Sequence, residues 1–135
     1  MTTLIDTNIL VYAAGIKAAP ARQEEARAVL RDARQDACLS LQVLSEFSAV
    51  ALRNGLPPDL CRAIVADYRR SWPVVTPDAF TVDLALLAVS EHRLSFWGAM
   101  LWAVAKQYKL SEILSEDGPS DAIIGGLRFR NPFVP

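Results

Sequence analysis

The sequence is poor in the residue types that build several common classes of active site. Its 135 residues include one histidine, His92, and two cysteines, Cys38 and Cys61, which do not form a CxxC pair. A histidine-based acid–base pair and a zinc site rich in cysteine or histidine are therefore excluded. We interpret both cysteines as small buried hydrophobes.

Other signals are absent as well. The Gly125-Gly126 pair lacks the spacing of a dinucleotide-binding loop, and no serine or cysteine lies in a nucleophile motif, so covalent catalysis is not indicated. No run approaches the roughly 20 apolar residues that span a bilayer, and no signal segment opens the chain, which predicts a cytoplasmic protein without a membrane partner. The formal net charge of −1 leaves the class of partner open, because a local basic patch could still bind nucleic acid.

What the chain does contain is an alternation of short apolar runs with longer helical patterns. This alternation predicts an α/β fold with a mainly parallel sheet. With 52% hydrophobic residues, the chain is expected to form one domain over residues 1–135. Strands are predicted near residues 2–6, 37–41, 73–76, 112–114 and 126–130.

Two consecutive helices are predicted between Pro77 and Gln107. Pro77-Asp78 is expected to open a helix whose inward-facing residues are Phe80, Leu84, Leu87 and Ala88. Ser95 is expected to cap the next helix, which runs to Gln107.

Carboxylates follow two of the predicted strands. Asp6 comes after Thr2–Ile5 and Asp117 after Glu112–Leu114, and parallel strands place their ligand crevice beyond their carboxyl ends. Glu46 lies inside the apolar stripe of its own predicted helix, so it should point inward. Such a cluster of acids would bind a hard divalent cation, Mg²⁺ or Mn²⁺, with room left for water and phosphate oxygens.

Each acid also has an ordinary structural interpretation. Glu46 could lie partly exposed at the margin of the stripe or pair with an arginine. Asp6 could cap a helix that begins at Thr7, and Asp117 could simply end a strand in a turn. One shared cause for all three is the interpretation that we favour.

At these positions the chain resembles the PIN-domain ribonucleases, and among them the VapC-type toxins of bacterial toxin–antitoxin pairs. Four segments in the right order carry the resemblance over most of the chain: Leu4-Ile5-Asp6-Thr7-Asn8, Ser45-Glu46-Phe47, Leu114-Ser115-Glu116-Asp117 and Asn131-Pro132-Phe133.

The resemblance implies a three-layer α/β/α sandwich and a Mg²⁺- or Mn²⁺-dependent endoribonuclease. It also implies a homodimer and inhibition by a small cognate antitoxin. Asp6, Glu46 and Asp117 would be the catalytic acids and metal ligands. Thr7 and Ser115 would orient a ligand carboxylate, water or substrate.

The chain departs from the family at Gly98, where the pattern usually has an aspartate. The glycine could permit close packing, reflect natural degeneracy, or be a deliberate substitution in a toxic nuclease. Asp121 follows Asp117 closely, and it could approach the site or be a solvent-facing turn residue. Arg128 and Arg130 share one face of the last predicted strand, which could contact RNA phosphate or simply be solvated.

The leading hypothesis is therefore a toxin that hydrolyses RNA phosphodiester bonds at a site of carboxylate-bound metal. The alternative is a catalytically silent PIN-like module that binds antitoxin or RNA. A small-molecule phosphatase would share the metal chemistry but lacks an aspartyl-nucleophile motif. The helical hairpin Gln42–Arg70, together with Trp72, is predicted to offer an apolar surface to a protein partner.

Overall fold

The computed structural model describes residues 1–119 and 121–134. The strands are β1 (Thr3–Ile5), β2 (Ala37–Ser40), β3 (Val74–Val75), β4 (Glu112–Leu114), β5 (Ile123–Ile124) and β6 (Leu127–Arg130). The helices are α1 (Thr7–Ala13), α2 (Pro20–Asp32), α3 (Leu41–Arg53), α4 (Pro58–Ser71), α5 (Ala79–His92) and α6 (Phe96–Gln107). No helix within the described ranges is both long enough and apolar enough to cross a bilayer.

The strands form one sheet in the order β3-β2-β1-β4-β6-β5, and every neighbouring pair is parallel except β5 with β6. The prediction of a mainly parallel α/β fold is confirmed. Strand β5 was not predicted, because its two residues are too few to show a period. It pairs with β6 through a tight hairpin whose loop residues, Gly125 and Gly126, have φ values of 57° and 83°. Glycine adopts this left-handed conformation without the steric penalty of a side chain.

The helices pack in two groups, α1 to α4 and α5 with α6, which form the outer layers of a three-layer α/β/α sandwich. The largest fully buried side chains include Phe47 on α3, Phe129 on β6 and the strand residues Leu4 and Ile113. The core thus joins the sheet to the helices around it, and Cys38 and Cys61 are buried within it as predicted.

Helix α5 faces the core with two of the four predicted residues, namely Ala88, which is buried, and Leu84, which is half-buried and packs against the core. Phe80 is 64% exposed and Leu87 is 55% exposed, whereas Thr81, Ala85 and Ala88 are buried. Because this helix is apolar almost all round, spacing alone could not choose its inner face. The small side chains of Ala85 and Ala88 allow close packing against α6, and the Thr81 hydroxyl donates a hydrogen bond to Gln107 Oε1 at 2.6 Å.

Candidate active site

The site begins where β1 and β4 end side by side. Ile5 is paired with Leu114, so the residues that follow, Asp6 and Ser115, leave the sheet together. The Asp6 amide donates to the Leu114 carbonyl at 2.9 Å, and the Ser115 hydroxyl donates to Asp6 Oδ2 at 2.7 Å. Adjacent parallel strands therefore bring together two residues that lie far apart in the sequence.

Asp6 caps a helix and faces the other acids at the same time. Its Oδ1 accepts from the backbone N–H of Thr7 at 2.7 Å, while its Oδ2 accepts from Ser115. The side chain is buried, and this burial raises the pKa of Asp6; the two hydrogen bonds oppose the shift, and the charges of Glu46 and Asp117 add to it. The Asp6 carboxylate can therefore cap α1 and also belong to the cluster of acids.

Glu46 approaches from α3 and is half-buried. Its Oε2 accepts a hydrogen bond from the Thr7 hydroxyl at 3.0 Å. No arginine among the described residues forms an ion pair with it, so the arginine interpretation is wrong there. Thr7 thus contacts two acids, Asp6 through its amide and Glu46 through its hydroxyl.

Asp117 lies in the turn after β4 and is exposed. Its Oδ2 accepts from the Asn8 side chain at 2.9 Å, and its backbone N–H donates to the Ser115 hydroxyl at 3.1 Å. Ser115 therefore connects the backbone of Asp117 to the carboxylate of Asp6. Asp117 is a turn residue and a neighbour of the buried acid at once.

These contacts form a continuous chain of hydrogen bonds that links the three acids along the carboxyl edge of the sheet. Even so, no three Asp, Glu, His or Cys side chains in residues 1–119 and 121–134 are close enough to hold a metal ion among themselves. The edge is thus an open arrangement of acids and not a closed ligand cage.

Gly98 borders the same edge. A cleft of about 530 Å³ is lined by Asp6, Ser115 and Asp117 and, from the first turn of α6, by Gly98. A Cβ placed on Gly98 would lie 3.2 Å from Ser95 Oγ, which caps this turn by accepting from the Gly98 amide. A shift of a few tenths of an ångström in one serine side chain would accommodate it. Close packing therefore does not explain this glycine.

Asp121 does not join the acids. It follows the turn after β4, and its exposed carboxylate accepts from Arg128 at 2.7 Å. Arg130, on the same face of β6, pairs with Glu112 at 3.2 Å. The two arginines share one face as predicted, and each already has an acidic partner.

Sequence reasoning missed several residues around the site. Asn8 holds Asp117, yet it entered the sequence analysis only as part of a motif. A polar residue in the first turn of a helix that starts at the sheet edge is the signal that could have identified it. The cleft is also lined by residues at and between the end of α5 and the start of α6, namely His92, Arg93 and Trp97. The sequence has no hydrophobic periodicity there from which the direction of a side chain could be predicted.

A family model described as the PIN domain matches residues 3–119. The chain belongs to the PIN domain family. The matched range includes the three acids, Gly98, Thr7 and Ser115, so the site described above lies within it. No curated protein matches this PIN domain by sequence.

Solved structures share the fold of this PIN domain at low identity. A toxin–antitoxin complex from Klebsiella pneumoniae gives a TM-score of 0.72 at 18% identity, covering 98% of both chains. Mycobacterium tuberculosis VapC20, described as a sarcin–ricin loop cleaving toxin, gives 0.71 at 19% identity, covering 87% of this chain and 91% of its own. A FitAB structure bound to the IR36 DNA fragment gives 0.69 at 16% identity, covering 99% and 97%.

Proposed function

We propose that this PIN domain is the metal-dependent endoribonuclease toxin of a type II toxin–antitoxin pair. The main support for this proposal is the chain of hydrogen bonds that links Asp6, Glu46 and Asp117 at the carboxyl edge of the sheet. The proposal is supported by the fold shared with a toxin–antitoxin complex and with a toxin that cleaves the sarcin–ricin loop. Cleavage of RNA with Mn²⁺, compared with the same reaction in a chelator, tests it.

The donor set fits a hard divalent cation. Mg²⁺ and Mn²⁺ prefer oxygen ligands, and Mg²⁺ commonly keeps several waters while using only one or two carboxylates. An open arrangement of acids suits this coordination preference better than a site in which the protein supplies every ligand. The raised pKa of Asp6 points the same way, because a nearby cation would offset the desolvation and mutual repulsion of the acids.

Each side chain has a distinct part in the proposed reaction. A bound Mg²⁺ or Mn²⁺ would neutralise the acids and make a water molecule more acidic beside the scissile phosphate. Asp6 and Asp117 would hold the ion, and Glu46 would be the third ligand or would orient water. Ser115 and Thr7 keep Asp6 and Glu46 in place through their hydroxyl groups, so they act as positioning residues.

Gly98 bears on the activity of the chain as written. We propose that it leaves the site short of one carboxylate, so that turnover is low even when RNA and antitoxin contacts persist. The alternative function, a silent PIN-like module that binds antitoxin or RNA, is favoured by this same glycine. Cleavage by the Gly98→Asp variant distinguishes the two.

We propose that the antitoxin docks between α3 and α4. A groove of about 760 Å³ is lined there by apolar residues such as Leu52 and Ala66 and by the exposed cations Arg62 and Arg69. A second cavity shares Arg69 and continues the groove towards Thr76. An apolar segment carrying acidic side chains fits this combination. Trp72, which the sequence suggested as part of the surface, is only 7% exposed and lies in the core instead.

Reversing one charge in this groove should weaken the antitoxin complex. We expect Arg69→Glu to raise the Kd for the proposed cognate antitoxin by at least about tenfold, since like charges across an interface are repulsive. Arg34→Glu, on an exposed arginine outside the groove, is the matched control. Isothermal titration with both variants measures the effect, and equal Kd values would rule out this docking site.

We also propose a homodimer that uses the outer face of α5. Phe80, Leu86 and Leu87 are each more than half exposed there, which is more apolar surface than one helix usually leaves in water. Sedimentation of the purified chain at micromolar concentration should therefore give twice the monomer mass. A monomer at that concentration would contradict the dimer without affecting the proposed chemistry.

We propose that residues 1–135 form a single PIN domain. Since its substrate is RNA, we place its activity in the cytoplasm.

A further inference from the structure

The cleft that contains the acids extends beyond them. Besides Asp6 and Asp117, its lining includes His92, Arg93 and Trp97. The lining therefore combines carboxylates, a permanent cation and an exposed aromatic ring. The proposed hydrolysis of phosphodiester bonds uses the acids but assigns no role to His92, Arg93 or Trp97.

Arg93 is available to a ligand. It is exposed, and it has no hydrogen-bond or ion-pair partner among the described residues. Its backbone is left-handed, with φ 56°, at the position that ends α5. A residue in this conformation commonly ends a helix, so the Arg93 side chain projects from the connection between α5 and α6, which lines the cleft.

Trp97 lies beside Gly98 in the first turn of α6 and is 39% exposed. Three apolar side chains share the cleft with it: Leu94 from the connection between α5 and α6, Leu101 from α6 and Ile124 from β5. An indole that lines an apolar part of a cleft and still faces solvent provides a stacking surface for a flat ring.

We infer that this wall is a nucleotide subsite, in which Trp97 stacks on the base next to the scissile phosphate and Arg93 contacts a backbone phosphate. The inference rests on the proposed ribonuclease function and specifies how the substrate is held. A cleft of about 530 Å³ has the size of a small-ligand site and suits an unstacked nucleotide. The substrate strand must therefore be single-stranded at the cleavage site, since a base within a duplex cannot reach the indole.

Binding without catalysis tests this subsite. The probe is a fluorescein-labelled single-stranded hexaribonucleotide of mixed sequence, titrated in EDTA so that cleavage does not occur. We expect Trp97→Ala to weaken binding by roughly tenfold, the typical loss when one base loses its aromatic partner, and Trp97→Tyr to restore most of the affinity. Phe96→Ala is the matched control, because Phe96 is 47% exposed in the same turn but does not line the cleft.

The arginine has a separate readout. Asparagine tolerates the left-handed backbone, so Arg93→Asn should fold normally. The slope of log K against log salt concentration is negative, and we expect its magnitude to fall by about 0.7, the contribution of one phosphate contact on a single strand. Arg53→Asn is its control, because Arg53 ends α3, which starts at the acid edge and runs away from it.

The outcomes separate the subsite from the proposed function. If Trp97→Ala and Arg93→Asn bind the hexamer as the parent does, or if the parent does not bind it, the subsite is wrong even when Gly98→Asp cleaves RNA with Mn²⁺. If both variants lose RNA affinity while Gly98→Asp remains inactive, the subsite stands and the nuclease proposal fails. Loss of antitoxin binding in Trp97→Ala with RNA affinity unchanged would assign the wall to the protein partner and overturn the inference.

Discussion

Gly98→Asp is expected to turn a chain with little or no ribonuclease activity into a Mn²⁺-dependent ribonuclease. The new carboxylate would enter the cleft that Asp6 and Asp117 already line. We expect turnover to rise by at least about a hundredfold, the scale associated with positioning groups around a metal and its water. The variant should also fold well, because an acid in the first turn of a helix interacts favourably with the helix dipole and glycine is a poor helix former.

The control for this prediction is Gly98→Asn, which adds a side chain of the same size without the charge. Cleavage of a defined RNA with Mn²⁺ and in EDTA, together with growth inhibition on expression, gives the measurement. Robust and equal activity in the parent and Gly98→Asp would mean that the fourth acid is unnecessary. Inactivity of both would favour the silent-module alternative.

The second large effect is the loss of that activity when an acid of the edge is removed. In the Gly98→Asp background, Asp6→Asn and Asp117→Asn should each lower cleavage by about a hundredfold or more, since each removes a ligand charge while keeping the shape of the side chain.

Asp6→Asn should not unfold the protein, because asparagine caps a helix about as well as aspartate. It should even raise Tm at neutral pH without metal. Burial raises the pKa of Asp6 in the folded state, so ionised Asp6 destabilises the fold as pH rises above the ordinary carboxyl range, and asparagine does not ionise.

Asp121→Asn is the matched control for these substitutions. Asp121 lies in the same connection as Asp117, but its carboxylate pairs with Arg128 on the surface. We expect cleavage by this variant to stay within about twofold of its parent, because the acid is outside the cleft. Equal losses in all three variants would show that net charge, and not the edge of acids, governs activity.

The sequence was most informative where a residue's neighbours are fixed by topology. Asp6 and Asp117 could be predicted to converge, because each follows a strand of a parallel sheet and β1 lies beside β4. The inner face of α5 could not be predicted in the same way. Its residues are apolar almost all round, so the spacing identified the buried Ala88 but also selected Phe80 and Leu87, which are exposed.

The side-chain contacts of the acids could not be predicted from the sequence either. Spacing within α3 directed Glu46 towards the core, but it could not reveal that the Thr7 hydroxyl, 39 residues away in the sequence, would contact it. Nor could it show that a side chain at Gly98 would require only a small shift of Ser95 Oγ, which lies 3.2 Å from the position of a Cβ. The end of a strand can be recognised in the sequence. Contacts between side chains from different elements depend on the three-dimensional packing, so the sequence alone does not predict them.

We propose that Asp6 and Asp117, completed by an acid at position 98, hold a divalent cation at the carboxyl edge of the sheet. Anomalous diffraction at the manganese edge, from crystals of Gly98→Asp grown with Mn²⁺, measures this directly. We predict an anomalous peak within ligand distance, about 2.0–2.6 Å, of carboxylate oxygens from Asp6 and Asp117. A peak elsewhere on the molecule, or a site that stays empty at millimolar Mn²⁺, would contradict the claim.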